Sequence, residues 1–289
     1  MLQFLNQVGQ VGANGLITGM VYILMALGFT LIFGIMRIVN FAHGNLYMLG
    51  ALAVMVLFSH LGLNYYVAVI VSAILVALLG ALIERVLLRQ FVGRELNGMI
   101  MTLAIAITLQ AAATIIFGPE GVSIARPVSG MTNVGGILLP NDRMLVGAVA
   151  ITILILFYLF LRFTPSGLAV RAVAQDWEAA ALQGIRPQRI YLLSFGIGSM
   201  FAGLAGALMA PIYNISPYIG EVPMLKAFIV VILGGLGSLP GAVVGGLLLG
   251  VVESGFSTLF NQTVATMVSF ALVVVILIFK PAGILGHSR

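Results

Sequence analysis

Between Arg37 and Glu84 the chain runs for 46 residues without a charged side chain. A helix needs about 20 apolar residues to cross the hydrocarbon core of a bilayer. This one gap therefore holds two crossings, with His60-Leu61-Gly62-Leu63-Asn64 as the break between them. Further uncharged stretches cover 1–36, 96–119, 144–161, 190–220, 227–252 and 254–279. Together they define eight apolar segments, at 14–35, 41–59, 64–83, 98–117, 143–161, 190–210, 224–256 and 263–280. The apolar runs are continuous rather than alternating, which excludes a membrane β-barrel. The expected fold is an all-α integral membrane protein, organised as a single transmembrane domain over residues 1–289.

Only 7% of the residues are charged, and mean hydropathy is +1.19. Ordinary soluble domains are near 25% charged. A soluble enzyme and a nucleic-acid binder are excluded despite a pI of 9.8. The net charge of +5 is loop charge of the kind that orients a membrane protein. The chain has no cysteine, and its three histidines, 43, 60 and 287, are scattered. No metal site and no cofactor are expected.

Orientation follows from arginine. Arg85, Arg89 and Arg94 lie in the 84–97 loop, and Arg162, Arg171, Arg186 and Arg189 lie at 162–189. Both loops should be cytoplasmic by the positive-inside rule, and two spans separate them, so the parity agrees. Counting back puts Arg37 inside and the N-terminus outside. Residues 1–13 carry no positive charge, unlike a cleaved signal peptide, so the first segment is expected to remain as a helix. The 118–142 loop is then external. A full crossing at 224–256 would leave Lys280, His287 and Arg289 outside. A reentrant segment repairs the parity: 224–233 dips in from outside, 240–256 returns, and the last helix ends in the cytoplasm. The break is Gly234-Gly235-Leu236-Gly237-Ser238-Leu239-Pro240-Gly241. Its glycines permit turn conformations, and Pro240 cannot continue a helix from upstream. Non-helical backbone at membrane depth survives only against protein or a wet cavity. Gly234, Gly235, Gly237, Ser238, Pro240 and Gly241 are therefore candidates for the pathway or its gate, whereas the glycines from 241 to 250 also fit plain helix packing.

A second candidate set is Asn40, His43 and Asn45, polar groups that interrupt an apolar run. Two readings fit them: a helix–loop–helix corner satisfied by its own backbone, or a lining of the transport route. Glu253 and Lys226 read as residues near the external surface, Lys226 by snorkelling.

The 162–189 loop carries the strongest local signals. Thr164-Pro165-Ser166-Gly167 is turn chemistry. Asp176 can cap a helix from Trp177 to Gln183, with Glu178 in its first turn, where negative charge suits the dipole. Gly184 is a suitable stop, and Pro187 can open the next helix. This predicts a two-turn helix about 10 Å long. Its small residues Ala179 and Ala180 are expected to form a docking face; a simple connector is the other reading.

The stretch from Arg171 to Ile185, RAVAQDWEAAALQGI, resembles the E-A-A-x-x-x-G coupling loop of ABC importer permeases, with Glu178, Ala179, Ala180 and Gly184 in the pattern. The blocks GFTLIFGIMRIVNFAHG at 28–44 and GGLGSLPGAVVGG at 234–246 are similar to those of branched-chain amino-acid permeases. Trp177, the single Trp, stands where that pattern leads us to expect a smaller residue or proline. The resemblance implies a type II ABC importer-like fold in the inner membrane, non-catalytic itself. It implies coupling to the ATPase through Asp176, Glu178, Ala179, Ala180 and Gly184. The implied partners are two cytoplasmic ATPase subunits, a related second permease and an external substrate-binding protein. No Walker lysine is available, since Lys226 and Lys280 are the only lysines. The implied substrate is a branched-chain or other hydrophobic amino acid, with urea and short amides as alternatives. A stand-alone secondary transporter or channel is the rival class. It calls for acids deep in helices, whereas all eight acids fall at expected loops or segment ends.

Overall fold

A computed structural model describes residues 2–286. Every apolar segment is helical: α1 (Leu2–Met36), α2 (His43–Val54, prolonged by a π-helical turn to His60), α3 (Tyr65–Ile83), α4 (Glu95–Phe117), α5 (Asn141–Phe163), α8 (Pro187–Met209), α9 (Glu221–Gly234), α10 (Leu239–Leu259) and α11 (Gln262–Phe279). Two shorter helices, α6 (Pro165–Gln175) and α7 (Trp177–Leu182), fill the 162–189 loop. Among the described residues, seven helices are long and apolar enough to cross a membrane. The segment expected at 224–256 is two helices, and only its second part, α10, is among the seven.

The fold is helical as expected, with one short hairpin that the all-α expectation did not include. Residues Met131–Val134 (β1) and Ile137–Pro140 (β2) form an antiparallel hairpin in the 118–142 loop. Two residues, Gly135 and Gly136, make its turn with φ of 61° and 90°, as a two-residue hairpin loop requires. Gln10 clasps the hairpin: its Nε2 donates to the Leu138 carbonyl at 2.7 Å and its Oε1 accepts from the Leu138 N–H at 3.0 Å.

The chain divides into two compact units where the sequence suggests one domain. One comprises residues 1–27, 126–152 and 225–289, the other 28–125 and 153–224. In the second unit α8 is the central helix and packs on α2 and α3. Small residues make this possible: a side-chain carbon at Gly50 would fall on the backbone of Gly203, and one at Gly206 on the Tyr47 carbonyl. With backbones this close, polar side chains bond across the contact. The Ser72 hydroxyl donates to the Gly50 carbonyl at 2.8 Å, and the Tyr65 hydroxyl to the Ala207 carbonyl at 3.3 Å. In the first unit α1 and α10 meet the same way, with Gly15 and Gly19 against Gly250 and Gly246. Association inside a bilayer depends on such close packing, because lipid is as apolar as leucine.

Candidate functional site

Thr164-Pro165-Ser166-Gly167, read as a turn, is instead the cap and first turn of α6, whereas α7 folds as its residues predict, with one exception. Thr164 caps α6, its hydroxyl accepting from the Gly167 N–H at 3.0 Å. Asp176 Oδ1 caps α7, accepting from the N–H groups of Glu178 at 2.9 Å and Ala179 at 3.0 Å. Gly184 ends α7 at φ 84°. The Ile185 N–H reaches the Ala180 carbonyl at 3.1 Å, and the Gly184 N–H the Ala181 carbonyl at 3.0 Å. These two bonds form a Schellman motif. The exception is Ala180. It is 5% exposed and turns inward, so it does not belong to an outward docking face with Ala179. The outward residues are instead Trp177, 53% exposed, and Leu182, 88% exposed, with Glu178 and Ala179 beside them. The phase of the helix directs one of its three alanines to the contact with its own unit and leaves the large residues outside. The E-A-A spacing alone does not reveal this.

Beside the α7 cap lies a pocket of about 760 Å³, within the same unit. Arg37, Arg89, Glu95, Asp176 and Trp177 line it, with the first turn of α8 as one wall. Arg37 is the one non-glycine residue with positive φ among the described residues, at 54°. It ends α1, its N–H bonded to the Phe33 carbonyl at 2.9 Å.

After Arg37 the backbone leaves the helical conformation and climbs α4. A side-chain carbon at Gly98 would meet Ile38. The Thr102 hydroxyl accepts from the Phe41 N–H at 3.2 Å, and Asn45 Nδ2 donates to the Ala106 carbonyl at 3.0 Å. Ala106 lies eleven residues into α4, about 16 Å along its axis. The start of α2 is therefore well inside the membrane layer, where irregular backbone requires protein cover. Asn40 and His43 are fully buried there. Asn40 Oδ1 accepts from the Ala42 N–H at 3.1 Å, while its Nδ2 makes no hydrogen bond among the described residues. His43 stands edge-on to Phe29, ring centroids 5.8 Å apart. Gly44 packs on the Gly220 carbonyl, just before α9. The corner is thus largely satisfied by backbone, and the buried Asn40 amide is left without a hydrogen bond among the described residues.

The glycine break forms a tight helix hairpin. Gly234 and Gly241 meet backbone to backbone, and Gly245 lies against the Val230 carbonyl, so α9 and α10 run antiparallel. Gly235 and Gly237 take φ of 103° and 82° in the turn. Ser238 caps α10 through its hydroxyl, which accepts from the Gly241 N–H at 3.1 Å, and Pro240 sits in the first turn. The last carbonyls of α9 are satisfied from the far end of the chain: the Ile284 N–H donates to Leu233 at 2.8 Å, and the Leu285 N–H to Gly234 at 3.1 Å. His287 and Arg289 lie outside the described residues.

Lys226 and Glu253 lie toward the ends of their helices away from the Gly-rich turn, as expected, but neither is solvent-exposed and Lys226 does not snorkel. They are 1% and 4% exposed and pair at 3.1 Å between Lys226 Nζ and Glu253 Oε1. Glu253 also accepts from the Tyr22 hydroxyl at 2.9 Å and from Gln262 Nε2 at 2.6 Å. Lys226 donates to the Ser269 hydroxyl at 3.3 Å, and that hydroxyl donates to the Ala265 carbonyl at 2.8 Å. Glu84, toward the end of the α3 span, is buried as well, with Arg89 at 3.7 Å. Not every acid therefore lies at a surface. The signal was present in the sequence: a lysine and a glutamate bracketing 26 uncharged residues must either snorkel or pair.

The family model described as branched-chain amino acid transport system / permease component matches residues 12–277. The high-affinity branched-chain amino acid transport system permease protein LivH of Escherichia coli (strain K12) is 34% identical, over 100% of this chain and 97% of its own. BraD of Pseudomonas aeruginosa, a permease protein described in the same words, is 34% identical over 96% and 95%. LivM of Escherichia coli (strain K12), another permease protein of such a system, is 28% identical over 93% of this chain and 69% of its own. No solved structure matches.

Proposed function

Because the chain belongs to the branched-chain amino acid transport system permease family, we propose that it is the membrane-spanning permease of a binding-protein-dependent ABC importer. It carries branched-chain or other hydrophobic amino acids across the inner membrane. It works beside a related second permease, takes substrate from an external binding protein and is driven by two cytoplasmic ATPase subunits. The observation that carries this reading is α7. A six-residue helix is too short to persist alone. Here it is capped at one end, closed by a Schellman motif at the other, and presents Trp177 and Leu182 outward. That is a rigid knob fit to transmit force from a partner. Reconstituting the complete importer and measuring ATP-dependent uptake of Leu, Val, Ala, urea and acetamide tests the proposal. Uptake of the hydrophobic amino acids is expected; uptake of urea or acetamide alone would reassign the substrate.

A secondary transporter is the second reading, and the buried Glu253 favours it, since coupling-ion sites are built from intramembrane acids. Uptake driven by an imposed proton gradient, without ATPase subunits, would establish that reading instead.

The orientation that goes with the importer has the N-terminus outside and the C-terminus in the cytoplasm. The chain has no native cysteine, so single substitutions report it cleanly. Ser129→Cys, Ser216→Cys and Asn261→Cys are expected to react with an impermeant thiol reagent in intact cells. Gln90→Cys, Gln183→Cys and Ser288→Cys are expected to react only after permeabilisation. Labelling of position 288 from outside would overturn the reentrant arrangement.

A further inference from the structure

We propose that Lys226 and Glu253 form the site that receives the charged end of a zwitterionic substrate during transit, the substrate's carboxylate taking Lys226 and its ammonium taking Glu253. The inference rests on the amino-acid importer reading above and assigns residues and a selectivity to it. Its basis is the placement of the pair. Lys226 is five residues into α9 and Ser269, bonded to it, is seven residues into α11, while Glu253 is six residues from the end of α10 and bonds Gln262 at the start of α11, so the pair lies inside the helical layer, in the half of the hairpin away from its tip. Lys226 is eight residues above the hairpin tip at Gly234. The two charges sit on opposite arms of the same hairpin, whose arms are pinned to each other by the Gly234–Gly241 contact.

A buried ion pair is weak evidence for stability, because desolvation offsets its attraction and an apolar pair of similar volume packs as well. A charged pair buried among membrane helices is instead a candidate for a role in transport. The chemistry of exchange is balanced. In the structure each charge has the other as its counterion. A zwitterion seated between them replaces one ion pair by two and leaves no charge unpaired. Tyr22 and Gln262 continue to hold Glu253, and Ser269 continues to hold Lys226. The long Lys226 side chain supplies the movement needed to admit the ligand, and separation of the two groups spreads the arms about their pinned tip. Urea or a short amide brings no charge to either partner and cannot exchange for it. The pair therefore selects amino acids over neutral amides.

The test uses the complete importer in proteoliposomes, supplied with leucine-loaded binding protein. Two double variants are compared: K226M/E253L, which replaces the pair by an apolar one, and K226R/E253D, which keeps both charges. K226M/E253L is expected to assemble and to bind the loaded binding protein with a KM near wild type, because docking occurs at the surface. Its maximal leucine uptake should fall by at least about tenfold, as for the loss of buried charge contacts. K226R/E253D should retain a substantial fraction of uptake. Wild-type uptake by K226M/E253L would show that the pair only packs the hairpin and would overturn the proposal. Equal loss in both variants, or failure of both to assemble, would overturn it too. A wild-type complex that imports no amino acid would refute the importer reading itself, before any variant is considered.

Discussion

Leu182→Arg is expected to abolish substrate uptake while leaving the permease folded and in the membrane. Leu182 is 88% exposed and α7 holds its shape through Asp176 and Gly184, so the substitution removes nothing from the chain's own packing. Exposed substitutions of this kind change stability by about 0.5 kcal/mol or less. On the proposed docking of α7 with an ATPase subunit, a charge at this exposed leucine is far more disruptive to the contact, so co-purification of the ATPase and substrate-stimulated ATP hydrolysis should fall together with uptake. Gly184→Val attacks the same helix from inside. Its φ of 84° costs a β-branched residue about 1–2 kcal/mol, and the Schellman bonds are lost with it. Asp176→Ala is milder, the loss of a cap worth about 1 kcal/mol. Ala180→Arg, by contrast, would disturb the unit that α7 packs against, since Ala180 is buried. Ordinary stimulated ATPase activity and uptake in both Leu182→Arg and Gly184→Val would reduce the 162–189 loop to a connector.

Gly241→Leu should insert normally and lose transport. A side-chain carbon at this position falls on the Gly234 carbonyl, and the Ser238 hydroxyl that caps α10 stands 2.9 Å away. The contact cannot relax by moving a flexible side chain, because what it meets is backbone. Overpacking of this kind costs about 1–3 kcal/mol. The damage is local to the hairpin tip and spares the spans that insert the chain. Gly237→Leu reaches the same result through the turn, where φ is 82°. Membrane fractions should contain both variants at wild-type levels, with uptake reduced by about tenfold or more, as expected when 1.4 kcal/mol or more is lost from a transport-competent state. Full uptake in both would show that the turn is a slack surface loop.

The two hairpin residues of greatest chemical interest, Lys226 and Glu253, change how the transport route is pictured. A hairpin made only of glycines and aliphatics would move as a passive wedge. With an ion pair bridging its arms, separating them takes from each buried charge its counterion, so on the proposal made above opening is linked to a ligand that can replace the pair.

Much of this protein was decided by local composition. A run of 46 uncharged residues has no soluble solution, so the helices had to form and to lie in a membrane. The α7 caps, the α10 start at Ser238-Leu239-Pro240 and the Gly135-Gly136 hairpin turn are set within a few residues of each other, because capping and turn chemistry act over one or two turns of backbone. Burial of particular side chains required the fold. Ala180 turned inward and left Leu182 outside because helical phase relative to a neighbour is a property of packing. Asn40 and His43 lie at membrane depth because residues 38–45 climb α4 through bonds to Thr102 and Ala106, about sixty residues away along the chain. Lys226 and Glu253 paired rather than snorkelled because an antiparallel hairpin brought together charges separated by 26 uncharged residues, and Tyr22, Gln262 and Ser269 converged from α1 and α11 to complete their hydrogen bonds. Apolar length, caps and turns are local quantities that a sequence states directly; the partner of a buried charge is a distance in space, which only the folded chain defines.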